Sequence, residues 1–136
     1  MIKKAKLGKE IVVTVVNKIG VLADISRILA DHGINIEAVA GYAIENTAMI
    51  RLVTEDNLRS MDALKKQGYK SIKEKEAVII ELDNKPGALK SITTKLAEQQ
   101  IDVKQIYGTT CPEGCPAKIV LSSSNNEKAL VAFRKK

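Results

Sequence analysis

Three observations predict an α+β fold made of two successive βαββαβ units. Short β-branched runs alternate with Leu/Ile patterns at helical spacing, in the order βαββαβ. The strand-to-helix turn Asn84-Lys85-Pro86-Gly87-Ala88-Leu89 restates Asn17-Lys18-Ile19-Gly20-Val21-Leu22 in the same context. The apolar positions around both turns stay in register without a gap. At 136 residues and 45% hydrophobic, the chain suffices for one ordinary domain or two very small ones. Aromatics make up only 3%, so the core must be aliphatic.

In chain order, residues 1–9 are polar, Lys-rich and read as loose. Ile11 to Val16 is a β-branched run and hence a buried strand. After the Asn17–Gly20 turn, Leu22, Ile25, Ile28 and Leu29 recur at helical spacing, so residues 21–32 form an amphipathic helix that Gly33 stops. Ile34 to Ile44 is a second strand, with Gly41 expected at a bulge or a close approach. Glu45-Asn46-Thr47 turns into a third strand, Ala48 to Thr54. Asp56 and Asn57 are N-cap candidates for a helix carrying Leu58, Met61 and Leu64, ended by Gly68. Tyr69 to Glu74 is a short fourth strand.

The second half repeats this order. Ala77–Asp83 is a strand, Ala88–Gln99 a helix, Ile101–Thr110 and Ala117–Ser122 strands, and Asn125–Arg134 a helix. Residues 10–42 align with 77–109, sharing Asn17, Lys18, Gly20, Leu22, Ile25, Leu29, Ala30, Ile34 and Gly41 with their counterparts. Beyond Gly41 the second hairpin is two residues longer. This is a duplication, with units at 9–75 and 76–136. The second unit lacks room for a last strand, so its first strand is an open edge unless residues 2–9 or another chain pair there.

A βαββαβ order with right-handed crossovers gives an antiparallel, ferredoxin-like sheet with both helices on one face. The other face carries Val12, Thr14, Val16, Met49 and Val53 in the first unit, and Ile79, Glu81, Asp83, Lys118 and Val120 in the second. That is apolar for a solvent face and predicts burial against another subunit or a partner protein.

The formal charge of +6 raises the question of nucleic acid. Lys3, Lys4, Lys6, Lys9, Arg134, Lys135 and Lys136 place the excess at the two ends, and the body is near neutral. With few aromatics to stack bases, and Val12, Thr14, Met49 and Arg51 where an RNA-recognition sheet needs rings, that class is set aside; basic tails remain suited to weak contact with a polyanion. No apolar run reaches membrane-spanning length and Met1-Ile2-Lys3-Lys4 is no signal peptide, so a soluble cytoplasmic protein is expected.

The repeated turn is built to expose backbone. Asn84 is suited to capping the coming helix or bonding its own main chain, Pro86 fixes φ, and Gly87 admits close approach. The first helical turn then offers N–H groups to a carboxylate. No paired carboxylates, activated nucleophile or phosphate-binding glycine loop can be placed, so no catalytic residue and no cofactor is expected. His32 closes the first helix, where a helix-dipole contact accounts for it.

The two Asn-Lys-x-Gly-x-Leu turns, the Ile-Asn-Ile and Ile-Asp-Val starts to the second strands, and Gly68-Tyr69 entering the fourth strand resemble ACT domains over nearly the whole chain. The resemblance implies regulation: such domains bind small ligands, most often amino acids, and tune enzymes or transcription factors. It implies a homodimer or other pairing through second-strand edges, and a ligand at the junction between units. Carried over, the ligand-binding residues are Asn17, Ile19, Gly20, Val21, Leu22, Ile34, Asn35 and Ile36, and Asn84, Pro86, Gly87, Ala88, Leu89, Ile101, Asp102 and Val103. The expected partner is a separate regulated enzyme or regulator. Asp102 replaces Asn35, so the two sites are not equivalent, and a cationic group would prefer Asp102.

Two other readings stand beside this one. The turns and strands also suit a ligand-free dimerisation scaffold. Cys111-Pro112-Glu113-Gly114-Cys115-Pro116, a hairpin tip present only in the second copy, suits a thiol or metal-responsive module; Cys111 and Cys115 are weak metal candidates because a closed zinc site wants four ligands.

Overall fold

The computed structural model describes residues 1–110 and 113–134. Its elements are β1 (Ile2–Val16), α1 (Val21–Asp31), β2 (Ile36–Ile44), β3 (Thr47–Thr54), α2 (Asn57–Lys66), β4 (Ile72–Leu82), α3 (Ala88–Glu98), β5 (Val103–Thr109), β6 (Ala117–Ser123) and α4 (Asn126–Arg134). They are the strands and helices of an α+β protein in βαββαβ-like order. The chain divides into two compact units, Lys9–Lys75 and Met1–Gly8 together with Glu76–Lys136. Each of the long strands β1 and β4 therefore gives one half to each unit.

In the unit Lys9–Lys75 the strand order is β2-β3-β1-β4. β1 runs antiparallel to β3 with Ile11 opposite Leu52 and Val16 opposite Thr47. β2 runs antiparallel to β3, with Val39 opposite Leu52 and Ile44 opposite Thr47. The β1–β4 pairing includes the Thr14 N–H donating to the Ser71 carbonyl at 3.0 Å. Alternation along the strands sends Ile11, Val13, Ile50 and Leu52 to one face. There they meet Ile25, Ile28 and Leu29 of α1 and Ala63 and Leu64 of α2.

In the other unit the order is β1-β4-β6-β5. Val78 lies opposite Leu121 and Leu82 opposite Ala117 across β4 and β6. Ile106 lies opposite Leu121 and Thr109 opposite Lys118 across β5 and β6. The core joins Val78, Ile80, Leu82, Ile119 and Leu121 to Ile92 and Leu96 of α3 and Ala129 and Phe133 of α4. The place of the missing last strand is taken by the first half of β1. The Asp83 N–H donates to the Met1 carbonyl at 2.8 Å, and Ala5 is buried in the core with Ile2 packed on it.

Several expectations change here. Residues 2–9 are strand, not loose chain, and Ile2–Gly8 supply the edge partner the second copy needs. Their lysines hide the pattern, because a terminal strand lying along one edge buries only Ala5. Tyr69–Glu74 and Ala77–Asp83 are not separate strands. A single β4 runs through the expected boundary, starting at Ile72. Gly41 is not at a bulge: the irregularity in β2 lies between Ile36 and Ala38, and a Cβ at Gly41 would sit 3.9 Å from Ile50. The close approach belongs to its counterpart Gly108. Finally, Val12, Val53, Ile79 and Val120 are already buried within the single chain, as are Glu10 and Arg51, which pair with each other. Those positions need no second subunit to cover them.

An asparagine clamp recurs in both units. Asn57 Oδ1 accepts from the Thr54 N–H and hydroxyl while its Nδ2 donates to the Lys9 carbonyl at 3.0 Å. Asn126 does the same with Ser123 and the Glu76 carbonyl. Each ties the start of a second helix to the start of a first strand.

Candidate functional site

The second unit's turn begins where β4 ends at Leu82. Gly87, with φ of 87°, is the N-cap of α3 and no side chain caps the helix. The capping role expected of Asn84 falls to this glycine, because the left-handed conformation already steers the chain into the helix. Ala88 N–H returns to the Lys85 carbonyl (3.2 Å) and Ser91 N–H to that of Gly87 (3.1 Å). The N–H groups of Leu89 and Lys90, between them, precede the first intrahelical donor, the Ser91 N–H. Asp83 lies 3.6 Å from Lys3 Nζ and 3.8 Å from Lys85 Nζ.

Beside this turn is an open cavity of about 420 Å³, lined mainly by apolar surface. Leu82, Asn84, Ala88 and Leu89 form one wall, residues 106–110 of β5 and its exit the other, and Ala117 and Ile119 lie between. Gly108 sets the depth of the β5 wall: a Cβ there would lie 2.4 Å from Ile119 Cδ1 and 2.8 Å from the Lys118 carbonyl.

The first unit's turn has the same backbone. Gly20, at φ of 93°, is the N-cap of α1 without a side-chain cap, so Asn17 is no cap either. The Asn17 main-chain N–H donates to the Asn46 carbonyl, and Ile19 is fully exposed. A cavity of about 500 Å³ borders Val15, Lys18, Gly20, Asp24 and Tyr69. It is polar. The Tyr69 hydroxyl donates to Asp24 Oδ2 at 2.5 Å, and Arg27 reaches Asp24 at 2.8 Å and Asp31 at 3.2 Å. The Tyr69 bond, then Arg27, hold the Asp24 carboxyl below its usual range. Burial, then the bond to Asp24, push the Tyr69 hydroxyl up to about 12.

The strand starts are engaged in structure. Asn35 N–H donates to Glu55 Oε1 (3.0 Å) and its carbonyl accepts from Glu55 N–H (3.2 Å). Asp102 N–H donates to Ser124 Oγ (2.9 Å), its carbonyl accepts from Ser124 N–H, and its carboxylate pairs with Lys104 at 2.8 Å. Ile34 and Ile101 are core residues; Ile36 is half-buried and Val103 exposed.

Register decides which of these residues meet within a unit. In the second unit Val103 is level with Ser123, whereas the turn follows Leu82, level with Ala117. In the first, Ile36 is level with Thr54 and the turn follows Val16, level with Thr47. Each unit thus holds its turn and its strand start at opposite ends of its sheet. What meets the second turn in its own unit is Ile106 to Thr110, which the sequence did not single out. The signal available was Gly108, the counterpart of Gly41.

Cys111 lies outside the described residues, and Cys115 is disulfide-bonded. Among the described residues no three His, Cys, Asp or Glu side chains are grouped to hold a metal, and no helix is long and apolar enough to cross a membrane.

Residues 9–66 match the family model of the ACT domain. That segment, within the unit Lys9–Lys75, is an ACT domain. The fold of the chain is similar over 96% of its length to that of a Bacteroides thetaiotaomicron protein, at 23% identity, 88% coverage of that chain and a TM-score of 0.87. It is also similar to the ligand-free regulatory subunit of aspartate kinase from Thermus thermophilus (14% identity, 97% and 95% coverage, TM-score 0.69). A third similar structure is E. coli aspartokinase III in complex with lysine and aspartate (17% identity, TM-score 0.57), where 97% of this chain matches 32% of that one. A search of curated proteins returned no match.

Proposed function

We propose that this chain is an ACT-domain protein in both its units, and a non-catalytic regulator that binds an amino acid, or a similar small metabolite, at the Asn84–Leu89 turn. The observation that carries this is the cavity of about 420 Å³ beside that turn. Its volume lies in the range of small-ligand sites, and its walls are apolar with a few polar groups at the rim. The Leu89 and Lys90 N–H groups suit a carboxylate. Asn84, the β5 exit carbonyls and Asp83 suit an ammonium, and Ile106, Ala117 and Ile119 suit an aliphatic side chain. Similarity in fold to aspartate kinase regulatory subunits supports the regulatory half of the reading. The regulated partner is then a separate protein, and the cytoplasm is its natural setting. The outermost strands β2 and β5, with Val39, Ile44, Val103 and Ile106 exposed, are the edges through which a second copy would pair.

Thermal-shift measurement against the twenty amino acids at millimolar concentration tests the proposal. One of them raises the melting temperature, and Asn84→Ala weakens that effect while Asn17→Ala leaves it. A ligand present at one hundred times its Kd stabilises by about 2.7 kcal/mol, well within detection. A flat response to all twenty, with the protein folded, overturns it.

A further inference from the structure

The sequence scatters its positive excess over two ends, and the fold gathers those ends. Within the unit Met1–Gly8 and Glu76–Lys136, a cavity of about 530 Å³ is bordered by Lys3, Lys4, Lys95 and Arg134, with Ser91 and Phe133. Among the described residues no carboxylate lines it. Arg134 Nη2 donates to the Ala5 carbonyl at 3.2 Å, fixing the end of α4 against β1. Lys95 Nζ donates to the Ala132 carbonyl at 3.2 Å, bridging α3 to α4. Among the described residues neither Lys4 nor Arg134 has a carboxylate within ion-pair distance, while Lys3 shares Asp83 with Lys85.

The duplication supplies an internal control. Ser91 and Lys95 occupy the positions of Asp24 and Ile28 in the first copy. There Asp24 borders a cavity of its own, where it accepts from the Tyr69 hydroxyl and is paired with Arg27. In the second copy the carboxylate has become a hydroxyl and a buried apolar side chain has become a cation. Arg27, which pairs with Asp24 in the first copy, becomes Thr94, so the second copy loses that ion pair whole and keeps the added cation. Clustered like charges repel and cost stability unless something of opposite sign offsets them.

We propose that this cavity binds a small phosphate-bearing anion, separately from the turn site. An arginine fork and flexible lysine ammoniums match a group with several acceptor oxygens and about two negative charges, and Phe133 offers apolar surface to a compact organic body. A monocarboxylate, with one negative charge, would match only one of Lys4 and Arg134.

The test is titration of the full chain with inorganic pyrophosphate at low ionic strength, followed by calorimetry and amide chemical shifts, with acetate as control. Pyrophosphate shifts the amides of Ser91, Lys95 and Arg134, and acetate does not. Lys4→Gln and Ser91→Asp, which restores the first copy's acid, each weaken binding at least tenfold. Arg134→Gln does the same but also removes the bond to Ala5, so the first two variants carry the decision. Shifts spread evenly over distant lysines such as Lys65 and Lys66, or unchanged affinity in Lys4→Gln and Ser91→Asp, overturn the proposal and leave ordinary counterion attraction. Either result is independent of whether an amino acid binds beside Asn84.

Discussion

The Tyr69 hydroxyl donates to Asp24 Oδ2 at 2.5 Å, tying the residue after α2 to the first turn of α1. This bond stabilises ionised Asp24 and protonated Tyr69 together, so its pH dependence has two edges. The raised Tyr69 value means that its contribution is complete below the ordinary 10.0 and is lost as pH rises toward about 12. The lowered Asp24 value means that its contribution is present above 3.8 and is lost as pH falls through the depressed value. Tyr69→Phe flattens both edges of a plot of urea midpoint against pH. Ultraviolet titration of the wild type shows one tyrosine ionising near 12, and that step is missing in the variant.

Most of the fold was legible because strand alternation, helical spacing and turn residues agreed with one another. Ile25, Leu29, Ile92 and Leu96 are core as the spacing requires, and Asp56 caps α2 through Arg59 N–H as its position suggests. Residues 2–8 escaped because pairing along one edge leaves no periodic signature when Lys3, Lys4 and Lys6 sit in solvent. The turns were legible through Gly20 and Gly87, whose left-handed conformations only glycine adopts cheaply. The β5 wall was not, since Ile106 to Thr110 become neighbours of Asn84 only through the register of β5 on β6 and of β6 on β4. Nor was the basic cavity, because sequence distance separates Lys4 from Arg134 by nearly the whole chain.

Glu10 and Arg51 form a buried ion pair, and among the described residues Arg51 Nε has no hydrogen-bond partner. Removing one member leaves a charge buried without its mate, which costs roughly 3–5 kcal/mol. Arg51→Met is therefore strongly destabilising in urea titration. Glu10→Leu combined with Arg51→Met recovers most of the loss, since the unmatched Nε makes the native pair an imperfect one. A double variant no better than the single one would mean that Glu10 is held chiefly by other groups.

Gly41 and Gly108 occupy the same place in the repeat but not the same space. A methyl group at Gly41 meets Ile50 at ordinary van der Waals distance, whereas at Gly108 it overlaps Ile119 and the Lys118 carbonyl. Gly41→Ala is close to neutral. Gly108→Ala costs about 1–3 kcal/mol as β5 shifts away from β6. It also narrows the cavity at the Asn84 turn, so any ligand-induced thermal shift shrinks. Paired melting curves with and without ligand read both effects.

Ala5 is the residue through which the first half of β1 enters a core, packed with Val78, Phe133 and Ala129. A carboxylate there must give up its water among the apolar groups of the core, a change of the kind that costs several kcal/mol. Ala5→Asp detaches the borrowed strand and leaves the β4 edge between Ala77 and Leu82 unpaired. Lys6→Asp, one residue along and exposed, stays within about 0.5 kcal/mol of wild type. Amide hydrogen exchange separates the outcomes: in Ala5→Asp the amides of Val78, Ile80, Ile92 and Leu96 lose protection, while those of Ile25, Ile28 and Leu29 keep it. Equal loss in both sets would show that the two units unfold together. Unchanged protection in Ala5→Asp would show that Ile2–Gly8 contributes nothing to the second unit's stability.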